Sequence, residues 1–171
     1  MNKLSLKDLI FQSLIGASYV VLVFVLYNFS YKALQFRVAE SLLVLVFFNK
    51  KNAIGLLIGT FVANFLGDFG IIDAIFGTLT TFIVISFMLT LKKIKILSLL
   101  MPVIFNGLYV AILVTVFSMT SQDTFLTLLL AMGPLIFLTV AAGEAVVVYG
   151  IGLPLYYMLN KNDGFKAIFE K

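Results

Sequence analysis

Arg37, Glu40, Asn64, Asp73, Asn106 and Glu144 stand inside or at the edges of long apolar runs, in a chain that offers little else to do chemistry with. Together they supply one fixed cation, three carboxylates and two amides. Arg37 and Glu40, in the stretch Gln35-Phe-Arg-Val-Ala-Glu40, are three residues apart and share a face if that stretch is helical. Such a set suits the capture of a small polar molecule through charge-assisted hydrogen bonds. It does not suit covalent or metal chemistry. There is no His and no Cys, no HExxH, GxSxG or P-loop pattern, and no paired acidic cluster to hold a metal. Each residue also has a purely structural reading. Arg37 and Glu40 can form an interfacial ion pair, Asp73 can complement the N-terminal end of a helix dipole, and Asn64 and Asn106 can tie helices together for about 0.6 kcal/mol each. Glu144 is the most demanding, because a carboxylate facing lipid at depth costs about 2.5–3.5 kcal/mol or more. It must point into the protein, as a partner for Arg37 or as a ligand group.

The elements that position these groups are membrane helices. Of the 171 residues, 62% are hydrophobic and only 12% charged, about half the charge of a soluble domain. The composition predicts an all-α membrane protein, a compact bundle of six transmembrane helices in one domain over residues 1–171. The spans are expected at about 9–27, 37–48, 53–66, 71–91, 96–118 and 134–159, with Gly133-Pro134 opening the last. The run from Leu9 is too long for a signal-peptide core and lacks a cleavage site, so it reads as a retained first helix. Helices two and three are short, which leaves five spans as the competing count. Charge decides for six. Of the 12 Lys and Arg, only Lys32 and Arg37 fall on one side, and the other ten (from Lys3 and Lys7 to Lys161, Lys166 and Lys171) fall on the opposite side. That bias places both termini in the cytoplasm.

At 1.5 Å per residue, Asn64 then lies roughly 18 Å, Asn106 roughly 16 Å and Glu144 roughly 24 Å above the inner surface, with Arg37, Glu40 and Asp73 near the outer one. The inner half reads as almost purely apolar. This pattern describes a cup open to the outside, which disfavours a channel, and it leaves release into the cell without a visible source of energy. Tyr27, Phe29, Tyr31 and Phe36 around the first loop suit either a lid or an interfacial aromatic belt. Small residues recur every four positions at Ser13 and Ala17 on helix one and at Gly55, Gly59 and Ala63 on helix three, a pattern that lets helices approach closely, within the protein or against another subunit.

Five stretches, taken in order, resemble one family. They are Gln35-Phe-Arg-Val-Ala-Glu40-Ser-Leu-Leu-Val-Leu, Gly55-Leu-Leu-Ile-Gly59-Thr-Phe-Val-Ala-Asn64, Asp73-Ala-Ile-Phe-Gly77-Thr, Pro102-Val-Ile-Phe-Asn106-Gly, and Gly143-Glu144 through Gly152-Leu-Pro-Leu. Together they resemble the queuosine-precursor transporter family (QueT), whose members are substrate-binding S components of energy-coupling factor (ECF) transporters. Two departures stand out: Ala39 and Ser41 exchange the residues expected around Glu40, and Val46-Phe47 stands where a Pro is common. The resemblance implies a subunit in a bacterial cell membrane that captures a deazaguanine base from outside. It implies docking on a transmembrane coupling subunit and two ATPases, with ATP used by those partners and no cofactor in this chain. It assigns substrate binding to Arg37, Glu40, Asn64, Asp73, Asn106 and Glu144, and coupling-subunit docking to Ser13 and Ala17. The alternatives are an S component for a different vitamin-like heterocycle or a small membrane-embedded enzyme.

Overall fold

The computed structural model describes residues 5–27 and 36–169, with side chains described as far as Lys166. Gln35, Phe29, Tyr31, Lys32, Lys3 and Lys171 lie outside the described residues. Among the described residues every regular element is helical. They are α1 (Leu6–Val25), a 3-10 helix (Val38–Phe47), α2 (Asn52–Phe65), α3 (Gly70–Thr90), α4 (Lys95–Ser118), α5 (Phe125–Val147), a π-helical segment (Val148–Gly152), α6 (Leu153–Asn160) and α7 (Asp163–Phe169). Four stretches are long and apolar enough to cross a membrane: Leu6–Val25, Gly70–Thr90, Lys95–Ser118 and Phe125–Asn160. Val38–Phe47 and Asn52–Phe65 are apolar but shorter.

The two short helices nevertheless reach far. A 3-10 helix rises about 2.0 Å per residue, so the 10 residues of Val38–Phe47 extend about 20 Å, where an α-helix would give about 15 Å. The 14 residues of α2 extend about 21 Å by the same arithmetic. Both ends of α2 are fixed level with those of α1. Lys51 Nζ lies 2.7 Å from Asp8 Oδ2 at one end, and Tyr27 Oη donates to Asp68 Oδ1 at 2.8 Å at the other. The two helices therefore run parallel and in register. Asp8 is itself held in place by a capping box, accepting from Ser5 N at 2.9 Å while Asp8 N donates to Ser5 Oγ at 3.1 Å.

Glycine makes this pairing close. A Cβ on Gly16 would lie 2.9 Å from Gly55 O, one on Gly59 would lie 2.8 Å from Gly16 O, and one on Gly55 would collide with the Gln12 backbone. Gly55 and Gly59 thus serve a contact inside the protein. Their partner on α1 is Gly16, while Ser13 and Ala17 lie on the exposed side of that helix.

The 3-10 helix is the centre of the bundle. Ala39, Glu40, Ser41 and Leu43 to Val46 are all buried, packed among Tyr19, Leu56, Met88, Leu99 and Val148. Its tight winding is supported locally: Glu40 N donates to Arg37 O at 2.8 Å, and Ser41 Oγ donates to the Val38 carbonyl at 2.6 Å, each an i to i−3 link. Gly152 of the π segment approaches it to where a Cβ would sit 3.5 Å from Ser41 Cα. The bundle's outer surface is apolar, with Leu130, Leu135 and Met158 all more than 60% exposed. In a bilayer that surface faces acyl chains.

Two expectations change. The last long helix begins at Phe125, with Thr124 at its N-cap position, and carries Pro134 in its interior; Gly133-Pro134 does not open it. Proline costs this helix the bond to the Leu130 carbonyl, a loss that apolar helices in a membrane tolerate, and the residues on both sides are strongly apolar. The half expected to face the cytoplasm is also less purely apolar than its sequence suggests. Gln12, buried on α1, donates from Nε2 to Asn52 Oδ1 at 3.1 Å and accepts from Gly55 N at 3.1 Å. Asn52 Nδ2 in turn donates to the Leu45 carbonyl at 2.9 Å. This satisfied network joins α1, the 3-10 helix and α2 near the level of Lys51.

Candidate binding cleft

Four elements bring the polar residues together. Arg37 immediately precedes the 3-10 helix, and Glu40 sits in its first turn. Asp73 is in the first turn of α3, which the chain enters through Gly70 at φ +56°, a conformation open to glycine and strained for most other residues. Asn106 and Tyr109 share a face of α4, three residues apart, and Glu144 lies on α5 one turn before the π segment. Such π segments are often found at functional sites.

Burial here is nearly complete. Glu40 is 1% exposed, Glu144 2%, Asp73 3% and Asn64 0%. Carboxylates are rarely so buried unless they are paired, and each of these has a defined partner. Tyr19 Oη donates to Glu40 Oε1 at 2.5 Å. Arg37 Nη2 lies 3.6 Å from Asp73 Oδ2, and the other oxygen of that carboxylate accepts from Tyr109 Oη at 2.7 Å. Asn106 Nδ2 donates to Glu144 Oε1 at 3.3 Å. Arg37 therefore forms its ion pair with Asp73, across to α3, and Asp73 does more than complement a helix dipole.

The satisfaction is incomplete. Glu40 Oε2 and Asn64 Oδ1 are buried with no hydrogen-bond partner among the described residues. Unmet acceptors of this kind cost about 1–3 kcal/mol each, and a ligand carrying donors would relieve that cost. Asn64 is held by its other end, where Nδ2 donates to the Asp73 carbonyl at 3.2 Å, in a space that exists because Gly77 has no Cβ.

Arg37, Gly77, Thr81, Asn106, Tyr109, Val110, Val140 and Glu144 line a cleft of about 10 Å³, the size of a single water. Gly107 keeps its walls close, since a Cβ there would lie 2.9 Å from the ring of Phe137 on α5. The expected residues thus fall into one connected group: Arg37, Asn106 and Glu144 line the cleft, Asp73 anchors Arg37 and Tyr109, Asn64 sits behind Gly77, and Glu40 acts from the 3-10 helix. Ser13 and Ala17 lie elsewhere, in an open groove of about 480 Å³ between α1 and α2 that also includes Gly16, Ile58 and Val62.

Sequence reasoning missed Tyr19 and Tyr109. Both look like ordinary aromatics in apolar runs, and only their hydroxyl contacts distinguish them. The available signal was spacing: Tyr109 follows Asn106 by three residues, on the same face. Gln12 was missed in the same way, as one polar residue near a helix end.

Fold and cleft together define a helical, multi-pass membrane protein with a buried cluster of carboxylates. This chain belongs to the QueT transporter family, whose pattern it matches over residues 9–161, a range that includes every residue of the cleft. It is similar to the queuosine precursor transporter QueT of Lactococcus lactis subsp. cremoris (strain MG1363), with 39% identity over 88 residues. The alignment spans 50% of this chain and 52% of that protein, about half the length of each. No solved structure matches the chain.

Proposed function

We propose that this chain is the substrate-capturing S component of an ECF transporter and that it takes a queuosine precursor, a deazaguanine base, from outside the cell. The observation that carries the reading is the pair of buried carboxylates, Glu40 and Glu144, at a cleft that also presents Arg37 and Asn106. A guanine-like edge offers adjacent N–H donors, which one carboxylate accepts in parallel as it would from a guanidinium. Its ring carbonyl needs a donor, and Arg37 and Asn106 both have one. The cleft is smaller than any two-ring base, so binding separates α4 and α5 from the 3-10 helix.

Six crossings follow from this reading. With α1 and α2 parallel and level at both ends, the chain must return across the same thickness between them, and the extended 3-10 helix makes that return. Both termini and the lysine-rich turns then face the cytoplasm. Transport draws on ATP hydrolysed by two partner ATPases through a transmembrane coupling subunit. The exposed Ser13 and Ala17 groove is the docking face for that subunit.

The test is a titration of purified wild type and Glu144→Gln with aminomethyl-deazaguanine. A loss of affinity on the order of 100-fold is expected for removal of a buried charged acceptor. Unchanged affinity would remove Glu144 from the site. Uptake into vesicles with and without the ATPase module tests the coupling separately: transport by this chain alone would reject the S-component role.

A further inference from the structure

A second recess lies on the lipid-facing side of the bundle. Between α3 and α4, both long and apolar enough to cross a membrane, there is an open groove of about 630 Å³. Its walls are Ile72, Phe76, Leu79 and Ile83 from α3 and Ile112 and Val116 from α4, and Tyr109 also lines it. Ring contacts bridge the two sides at each end. Phe69 meets Phe117 with centroids 4.7 Å apart at one end, and Phe87 stacks on Phe105 at 5.3 Å at the other. Ile72 to Ile83 spans about 16 Å of helix at 1.5 Å per residue, close to half of the about 30 Å hydrocarbon core of a bilayer.

Both polar side chains in the lining are already bonded. Thr80 Oγ1 donates to the Phe76 carbonyl at 2.9 Å, and Tyr109 Oη donates to Asp73 Oδ1 at 2.7 Å. The groove therefore asks only apolar contact of its occupant. A spanning helix of a protein partner needs a face about twice this long. One tail of a lipid in a single leaflet matches the groove in both length and chemistry.

We infer that this groove is a binding site for one acyl chain of a phospholipid, from the leaflet on the cleft side of the bundle. Inside a bilayer no hydrophobic force separates protein from lipid. What favours the bound chain is dispersion, because a groove left empty forfeits contacts along its whole lining. Phe76, Leu79 and Ile112 are each about half exposed and hold the chain from both sides. Tyr109 lines this groove and the cleft alike, so the chain lies behind the ring whose hydroxyl holds Asp73.

The experiment titrates the purified full chain in detergent with dioleoyl phosphatidylglycerol and counts bound lipid by native mass spectrometry. One saturable lipid per wild-type chain is expected, and dioleoyl phosphatidylcholine should bind within about tenfold of it, because the acyl chain and not the headgroup is recognised. Leu79→Trp and Ile112→Trp fill the groove with a ring and should each weaken that binding about tenfold or more. Leu130→Trp, on the exposed face of α5, should leave it unchanged. No saturable lipid on wild type, or undiminished binding by either groove variant, overturns the inference. So does a preference of more than about tenfold for the anionic headgroup, which would place the lipid at the lysine-rich turns. A wild-type dimer lost in both groove variants would assign the groove to a second copy and overturn it as well. The wild-type measurements need no variant to fold, and none of the outcomes depends on the transported molecule.

Discussion

The Tyr19 hydroxyl donates to Glu40 Oε1 at 2.5 Å, joining α1 to the central 3-10 helix across 21 positions of sequence. Both side chains are buried, Tyr19 at 0% and Glu40 at 1% exposure. The bond fixes the direction of the Glu40 carboxylate and leaves its second oxygen available. It also links the helix bearing the small-residue groove directly to the binding cleft.

Removing that hydroxyl has a double consequence. Tyr19→Phe keeps the ring in the core and leaves a buried carboxylate oxygen without its donor, so a loss of about 1–3 kcal/mol in stability is expected. Ligand affinity should fall as well, because Glu40 is no longer oriented. Thermal unfolding in detergent, with and without ligand, separates the two effects.

The Gln12 network should affect stability alone. Gln12→Leu removes the bonds to Asn52 and Gly55 and leaves an unsatisfied buried amide, at an expected cost of about 1–3 kcal/mol. The network lies toward the opposite end of α1 from the cleft, so affinity for the base should stay within about twofold of wild type, well under the tenfold that 1.4 kcal/mol represents. A large change in affinity measured by calorimetry would show that the inner network communicates with the site.

Neighbouring positions on α1 should behave in opposite ways. Gly16→Leu drives a side chain into the Gly55 carbonyl, and overpacking of this kind costs about 1–3 kcal/mol or more. Ala17→Leu points into the open groove, so folding and ligand binding should be intact and uptake in the assembled transporter should be lost. Uptake assays paired with binding measurements distinguish the two substitutions, and normal uptake by Ala17→Leu would remove the groove as a docking face.

The Arg37–Asp73–Tyr109 chain should set the shape of the cleft. Tyr109→Phe deletes one donor to Asp73 and leaves Arg37 as its partner, so a loss of affinity of about tenfold is expected from one hydrogen bond to a charged acceptor. Asp73→Asn removes the charge that holds Arg37 and should weaken binding more than Tyr109→Phe does. Titration of both variants with the aminomethyl compound checks the order.

Much of this molecule was legible from its sequence, for identifiable reasons. Long apolar runs must be helical in a bilayer because backbone N–H and C=O groups have no water to bond to there, so an all-helical membrane protein followed from composition alone. The cost of a carboxylate in lipid likewise required Glu144 to point inward, and its 2% exposure agrees with that. Depth counting put Asn106 and Glu144 between mid-membrane and the outer face and Arg37 near the outer surface, and the three line one cleft.

What sequence left open were choices between partners and between helical windings. Arg37 had three carboxylates within plausible reach, and selecting Asp73 depends on where α3 sits against the start of the 3-10 helix. The winding of Val38–Phe47 is invisible in its residues, since an α-helix and a 3-10 helix bury the same apolar types. Packing against α1, α2 and the π segment decides between them. Tyr19 and Tyr109 acquire their roles only when helices distant in sequence bring a carboxylate within hydrogen-bonding distance. Sequence determined which groups must be hidden from lipid, because that is a local transfer cost; tertiary structure decided which hidden groups meet, because hydrogen bonds and ion pairs depend on distances of a few ångströms.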